Sequence, residues 1–259
     1  MVILITGASS GIGRKLVLYY LNEGHTVAAV ARREAKLAEL YREPQAQKGT
    51  LKIYPADVTD KQRMVEVITS IERDLGSLDL AIANAGIANQ QLTANLELEA
   101  FDRLMQTNVM GVFYTLIPAI EVMIRQGSGQ IVTISSLAAF HSIPRMSSYC
   151  ASKAALNYQL EGLYWTLKPR GIQVTTICPG FIETEMTLGQ QVPKHWCLEI
   201  DGAVEKIVWA IAQKRRLYCF PFWQYQLIKL LSILPNFIKG FVFNIAIEKA
   251  FPRPQFSLF

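Results

Sequence analysis

Short apolar runs alternate with amphipathic stretches along almost the whole chain. Val2 to Thr6 (V-I-L-I-T), Thr26 to Ala31, Leu51 to Pro55, Leu78 to Ala83, Gln130 to Ser135, Ile172 to Cys178 and Leu217 to Phe220 read as strands. Most are apolar on consecutive rather than alternate positions, the pattern of strands covered on both faces. Between them, Arg14 to Glu23, Asp60 to Leu75 and Ala203 to Gln213 carry helical periodicity, and Leu96 to Ile124 reads as one or two helices meeting near Asn108. Strand and helix in alternation predict an open α/β sheet, which places ligands at the carboxyl ends of its strands.

Candidate chemistry collects at those ends. Gly7 to Gly13 (G-A-S-S-G-I-G) follows the first strand and opens the first helix. Glycines there permit positive φ and close backbone approach, and a helix N-terminus presents unpaired N–H groups to a phosphate, so the loop predicts dinucleotide binding. After the second strand, where an NAD site usually has a carboxylate for the ribose hydroxyls, stand Arg32 and Arg33. Two guanidinium groups suit the extra phosphate of NADP, or simply open a helix in solvent. Asp57, with Val58 beside it, is a turn former or an acceptor for the adenine amino group. Asn84-Ala85-Gly86 would let a strand end pack closely against a cofactor. Asn108 is a poor helix-interior residue in an apolar stretch, which calls for a local reason.

Ser136 to Lys153 reads S-L-A-A-F-H-S-I-P-R-M-S-S-Y-C-A-S-K. On a helix, Tyr149 and Lys153 stack about one turn apart. A cation about 4 Å from a phenol at an effective dielectric near 20 favours the phenolate by roughly 4 kcal/mol, which would bring Tyr149 towards an operating pH. Ser136 would emerge at a strand's carboxyl end, beside it.

Composition narrows the class. With 259 residues, 51% of them hydrophobic, and no linker-like or repeated segment, the chain can bury one substantial core. Cys150, Cys178, Cys197 and Cys219 have no metal-type spacing, and a strand beginning at Val2 leaves no room for a signal peptide, so a reducing cytoplasm is expected. The net charge of +5 is not gathered into a basic patch interleaved with aromatics, which argues against nucleic acid.

Seven motifs in register resemble the classical short-chain dehydrogenase/reductase family: T-G-A-S-S-G-I-G at Thr6 to Gly13, Asp57-Val58, N-A-G at Asn84 to Gly86, Asn108, I-S-S at Ile134 to Ser136, Y-C-A-S-K at Tyr149 to Lys153, and P-G-F-I-E-T at Pro179 to Thr184. The likeness covers about residues 2 to 220. It implies a single Rossmann-type, doubly wound domain with a seven-stranded parallel sheet flanked by helices. It implies that Tyr149 exchanges a proton with a carbonyl or alcohol oxygen, Ser136 hydrogen-bonds that oxygen, Lys153 lowers the phenol pKa and binds the nicotinamide ribose, and Asn108 holds a relay water. It further implies pyrophosphate binding by the loop of Gly7, Ser9, Ser10, Gly11, Ile12 and Gly13, with Ile12 and Ser9 among its contacts, a 2'-phosphate site at Ser9 and Arg32, and cofactor contacts from Pro179, Gly180, Ile182 and Thr184. Many members carry a second Asn before N-A-G where this chain has Ala83. The family's usual pairing through the Asn108 and Tyr149 helices implies a homodimer or homotetramer.

The expected product is an NADPH-preferring oxidoreductase acting on a small carbonyl or alcohol, with a substrate pocket shaped by Leu137, Ile143, Phe181, Met186 and Trp196. The loop from Phe181 to about Ile200 would be its lid. Alternatives are a ketoreductase for carrier-linked acyl substrates, recruited through Lys214-Arg215-Arg216, and a non-catalytic NADP-binding scaffold. Residues 1–221 would form the dehydrogenase domain and 222–259 an apolar helical extension of it. On a helical wheel Tyr225, Lys229, Ser232 and Asn236 form one narrow stripe beside a wide apolar arc. Lys229, Pro235, Asn236 and Lys239 interrupt any bilayer-spanning run. The extension would therefore cover the substrate cleft, meet a second subunit, or lie on an anionic membrane surface, and a lipophilic substrate fits with it.

Overall fold

The computed structural model describes residues 1–44, 48–88, 97–142, 146–187 and 194–240. Seven parallel strands form one sheet: β1 (Val2–Thr6), β2 (Thr26–Ala31), β3 (Thr50–Pro55), β4 (Leu80–Ala83), β5 (Gly129–Ile134), β6 (Ile172–Pro179) and β7 (Leu217–Phe220), in the spatial order β3-β2-β1-β4-β5-β6-β7. The chain winds outward from β1 to β3, returns to β4 beside β1, and winds outward again. The crevice for a ligand lies where those two directions part, beyond the carboxyl ends of β1 and β4.

The helices are α1 (Gly11–Asn22), α2 (Glu34–Ala38), α3 (Lys61–Leu75), α4 (Leu98–Met105), α5 (Gly111–Gln126), α6 (Ser147–Leu167), α7 (Ile200–Ala212) and α8 (Phe222–Ile233). Ile3 and Ile5 of β1 pack with Leu16 and Val17 of α1 and Ile207 of α7. Their neighbours Val2 and Leu4 face Met64 of α3, Leu116 of α5 and Leu156 of α6. Each strand thus feeds two apolar layers, the physical reason for its unbroken hydrophobic run.

Local chemistry sets several boundaries. Asp60 caps α3 by accepting from the Arg63 N–H at 2.9 Å. The helical stretch expected around Asn108 is α4 and α5 joined by a π-helical turn, Gln106–Met110, with Asn108 fully buried inside it. Such widened turns aim one side chain away from the regular spiral. Beyond β7, the extension enters α8, whose regular run stops before Pro235, and a further helical turn follows from Asn236.

Candidate active site

The glycine loop is built to let something approach its backbone. Gly7 has φ of +68°, and a side chain there would meet Asn84 Nδ2 at 2.8 Å. Asn84 Nδ2 itself donates to the Thr6 carbonyl at 3.0 Å, while the Asn84 and Ala85 N–H groups each donate to Thr6 Oγ1 at 3.1 Å. β1 and β4 are thereby stitched where they end. Gly13 sits behind the loop, where a Cβ would collide with the Gly7 carbonyl, and Gly11 faces Thr184 across the groove. Ser10, Gly11 and Ile12 line the resulting cavity at the start of α1.

The two arginines divide their work. Arg33 donates to Ser9 Oγ from Nε at 3.3 Å and from Nη2 at 3.1 Å, and to Ser10 Oγ at 2.9 Å. Its other terminal nitrogen is 3.7 Å from Glu185. Arg32 instead reaches Asp57 at 3.4 Å. Asp57 also closes its own turn, accepting from the Thr59 N–H at 3.0 Å and hydroxyl at 2.9 Å. Asp57 is thus a turn former, and with Val58 it also borders the groove. The family pattern points to Arg32 as the partner of Ser9; in the structure Arg33 occupies that place.

Tyr149 and Lys153 lie on α6, one turn apart, as their spacing requires. The phenol is hydrogen-bonded to the Ser136 side chain, and Ser136 Oγ also accepts from the Ala138 N–H at 3.1 Å. Lys153 is 5% exposed. Its ammonium donates to the Ile134 carbonyl at 2.9 Å and stands 5.8 Å from the centre of the Tyr149 ring. Gly86 completes the corner: a Cβ there would come within 3.3 Å of Asn108 Oδ1 and 3.7 Å of Lys153 Nζ.

The electrostatics correct one expectation. Burial pushes the Tyr149 phenol up to about 12, with the Ser136 hydrogen bond pulling the other way. Burial brings the Lys153 ammonium down to about 8. The phenol is not brought towards neutrality here, because desolvation of the phenolate outweighs the Ser136 hydrogen bond, while the Lys153 ammonium donates to the Ile134 carbonyl. Asn108 is also more committed than a water-holding role requires. Its Oδ1 accepts from the Ile87 N–H at 2.8 Å, and its Nδ2 donates to the Ile87 carbonyl at 2.9 Å and to Ser152 Oγ at 3.2 Å. It clamps the strand end after β4 to the helix carrying Tyr149, and it lies behind the cavity wall rather than on it.

Arg32, Arg33, Asp57, Ser136, Tyr149 and Lys153 meet on one cavity of about 540 Å³, bordered at one end by the glycine loop and at the other by Leu137, Phe181, Met186 and Trp196. Pro179, Gly180, Ile182 and Thr184 form the wall between. Ile143 lies outside the described residues, as do residues 188–193 of the expected lid. The inner face of α8 closes the far end with Leu227, Ile228 and Leu231. This bears out cleft coverage by that face of the extension. Gln224 is 4% exposed, donates to the Trp196 carbonyl at 2.8 Å and packs its Oε1 over Gly180. Sequence reasoning missed Gln224 as a wall residue, along with His141 and Met146. The signal for Gln224 was a lone polar residue on the arc that α8 turns inward.

The short chain dehydrogenase family model matches residues 1–193. The chain belongs to the short-chain dehydrogenase family. An oxidoreductase of Myxococcus xanthus is 35% identical to this dehydrogenase over 234 residues, covering 90% of this chain and 92% of the relative. A 3-oxoacyl acyl-carrier-protein reductase of Thermotoga maritima is 35% identical over 186 residues, covering 72% and 76%. Among solved structures, a 3-ketoacyl-ACP reductase from Sinorhizobium meliloti superposes with a TM-score of 0.76 at 28% identity, covering 85% of this chain and 97% of that one. A short chain dehydrogenase from Mycobacterium paratuberculosis bound to NAD gives 0.76 at 25% identity, covering 84% and 95%. The dehydrogenase is thus an oxidoreductase of a family that binds NAD(P)(H) and acts on small molecules. Residues 194–259, with α7, β7 and α8, lie outside the family match.

Proposed function

We propose that this dehydrogenase interconverts an apolar ketone or aldehyde and its alcohol, preferring NADPH to NADH. The observation that carries the reading is the convergence of Tyr149, Ser136 and Lys153 on the same cavity as the glycine loop. The residues fit a dinucleotide: Gly7, Ser10, Gly11 and Ile12 line the cavity, and α1 begins with its N–H groups at the cavity edge. When bound, the cofactor supplies or accepts the hydride.

The chain's own groups do the rest. Gly7, Ser10, Gly11 and Ile12 would cradle the pyrophosphate. Arg33 with Ser9 and Ser10 would bind a 2'-phosphate by charge-assisted hydrogen bonds, with the exposed Arg32 beside it. Asp57, Val58, Asn84, Ala85 and Gly86 would border the adenosine and ribose, and Pro179, Gly180, Ile182 and Thr184 the carboxamide side. Tyr149 would give its phenolic proton to the substrate oxygen in reduction, and Ser136 would donate a second hydrogen bond to the same atom. Two donors aimed at a developing oxyanion supply the electrostatic stabilisation. Lys153 would hold the ribose and keep a positive charge near the phenol, and Asn108 would hold the corner rigid. Tyr149→Phe should abolish turnover and leave NADPH affinity, read by fluorescence titration, within about twofold of the parent. A Tyr149→Phe enzyme with undiminished kcat would end the assignment.

The apolar wall of Leu137, Phe181, Trp196, Leu227 and Leu231 supports a lipophilic substrate. A carrier-linked acyl substrate is the second reading, favoured by the Thermotoga maritima relative. Of its recruiting cluster, Arg216 is spent on Glu161 at 3.0 Å and Arg215 lies over Trp209. Turnover of a carrier-bound 3-ketoacyl chain but not of the free ketone would decide for it. We further propose that residues 222–259 extend the same domain, that the protein is cytoplasmic and self-associates through α5 and α6, and that the outer face of α8 rests on membrane lipid. That face exposes Phe222, Trp223, Leu230 and Ile233, with Lys229 at its border.

A further inference from the structure

Cys178 and Cys219 are direct register partners on the adjacent parallel strands β6 and β7. Registered residues of neighbouring strands leave the sheet on the same face, so the two thiols are held side by side. They are hydrogen-bonded to one another. Cys178 is fully buried, whereas Cys219 is partly exposed, and neither borders the substrate cavity. Around the Cys178 sulfur stand the Asn157 amide, 3.7 Å away, the Ser135 hydroxyl and the Lys153 ammonium. Lys229 of α8 acts on Cys219. Nothing in the carbonyl chemistry uses this pair.

We propose that Cys178 and Cys219 form a site of reversible oxidation, closing to a disulfide when a peroxide reaches the partly exposed sulfur. The site combines an accessible sulfur, a second sulfur already in contact with it, and cations that favour a thiolate. Burial alone would push the Cys178 thiol up. The hydrogen bonds from Cys219, Asn157 and Ser135, with the Lys153 charge, outweigh it and leave Cys178 below the ordinary thiol range. Cys219, donating its proton to Cys178 and partly buried, lies above that range.

The step balances within the pair and one peroxide. Cys219 passes its proton to the Cys178 thiolate as its sulfur attacks a peroxide oxygen; the O–O bond breaks, leaving a sulfenic acid on Cys219 and a hydroxide ion. That hydroxide removes the proton from Cys178, whose sulfur attacks the Cys219 sulfur. The S–S bond forms as the S–O bond breaks, and a second hydroxide departs. The two sulfurs lose two electrons, the peroxide gains them, and a thiol reductant reverses the change. The consequence reaches the active site, because a disulfide carries no charge. Cys178 raises the Lys153 pKa while it is anionic, and it adjoins Pro179 and Gly180 of the cavity wall.

Thiol titration of the denatured full-length protein, before and after hydrogen peroxide, tests the site. None of the four cysteines is in a disulfide; oxidation should leave two titratable, with the peptides bearing Cys178 and Cys219 joined in a non-reducing map and separated by dithiothreitol. The activity arm rests on the proposed carbonyl reaction: kcat/KM at pH 8 should fall, because loss of the Cys178 anion removes a charge that raises the Lys153 pKa and so lowers the share of its ammonium form, and recover on reduction. Cys219→Ser, whose hydroxyl can still donate to Cys178, should keep basal turnover and lose peroxide sensitivity; should it misfold, Cys219→Val is read by the thiol count alone, which should stay at three after peroxide. Four thiols still titratable after peroxide, or a link through Cys150 or Cys197 instead, would overturn the proposal. The thiol count is independent of turnover, so an enzyme inactive on every carbonyl would refute the proposed function and leave this test standing.

Discussion

Arg33, more than Arg32, should decide cofactor choice. Its guanidinium is already oriented by Ser9 and Ser10, whereas Arg32 is turned towards Asp57. A charge-assisted hydrogen bond contributes about 1.5–3 kcal/mol, so Arg33→Ala should weaken NADPH binding by about ten- to a hundredfold and leave NADH nearly unchanged. Isothermal titration with both cofactors reads the difference. Lys153 makes a second prediction. Its folded pKa of about 8 lies below its unfolded value of 10.5, so between those values the unfolded chain binds more protons and stability rises with pH. Lys153→Met should therefore melt higher than the parent at neutral pH, and the gap should close from pH 8 towards 10.5. The same titration bears on catalysis. Tyr149, at about 12, remains a proton donor through neutral pH, so carbonyl reduction should be flat below pH 8 and decline above it as Lys153 loses its charge.

At the scale of elements, α8 and Trp196 are cavity-wall parts that lie outside the family match. The hold of α8 on the cleft runs through Gln224, bonded to the Trp196 carbonyl, and through the edge-to-face pair of Trp196 and Trp223 at 5.3 Å. Gln224→Leu should cost about 1 kcal/mol in chemical denaturation for the lost hydrogen bond. It should raise KM for a long apolar carbonyl far more than for a short one, because only the long substrate reaches Leu227 and Leu231. Equal effects on both substrates would place the damage at the cofactor instead. Much of this element was legible beforehand. The apolar arc and the interruption at Pro235 follow from side-chain order alone, but that its inner edge faces the cavity depended on how β7 delivers the chain.

At the scale of the whole molecule, α5, α6 and α8 each keep apolar residues at the surface. Met110, Ile117 and Ile124 recur every seventh residue along the π-turn and α5, while Tyr158 and Trp165 do so on α6, at 80% and 62% exposure. A recurrence of seven keeps residues on one helical face. Ile117→Glu combined with Trp165→Glu should yield a monomer in light scattering if these helices pair two copies. Leu230→Glu with Ile233→Glu should leave the assembly intact and abolish flotation with anionic vesicles. Loss of assembly in the second variant instead would assign α8 to the subunit contact.

The order of strands and helices, the glycine loop, the Tyr149–Lys153 spacing and Ser136 at a strand's end were all written locally. Each depends on neighbours a few residues away, through periodicity, glycine conformations or one helical turn. Tertiary structure alone decided which arginine meets Ser9, that the Lys153 protons turn to Ile134, that Asn108 locks Ile87, and that Cys178 lies beside Cys219. These are contacts between segments far apart in the chain. Their geometry is set by strand register and helix packing, and burial then moves the pKa values in directions that spacing could not foretell.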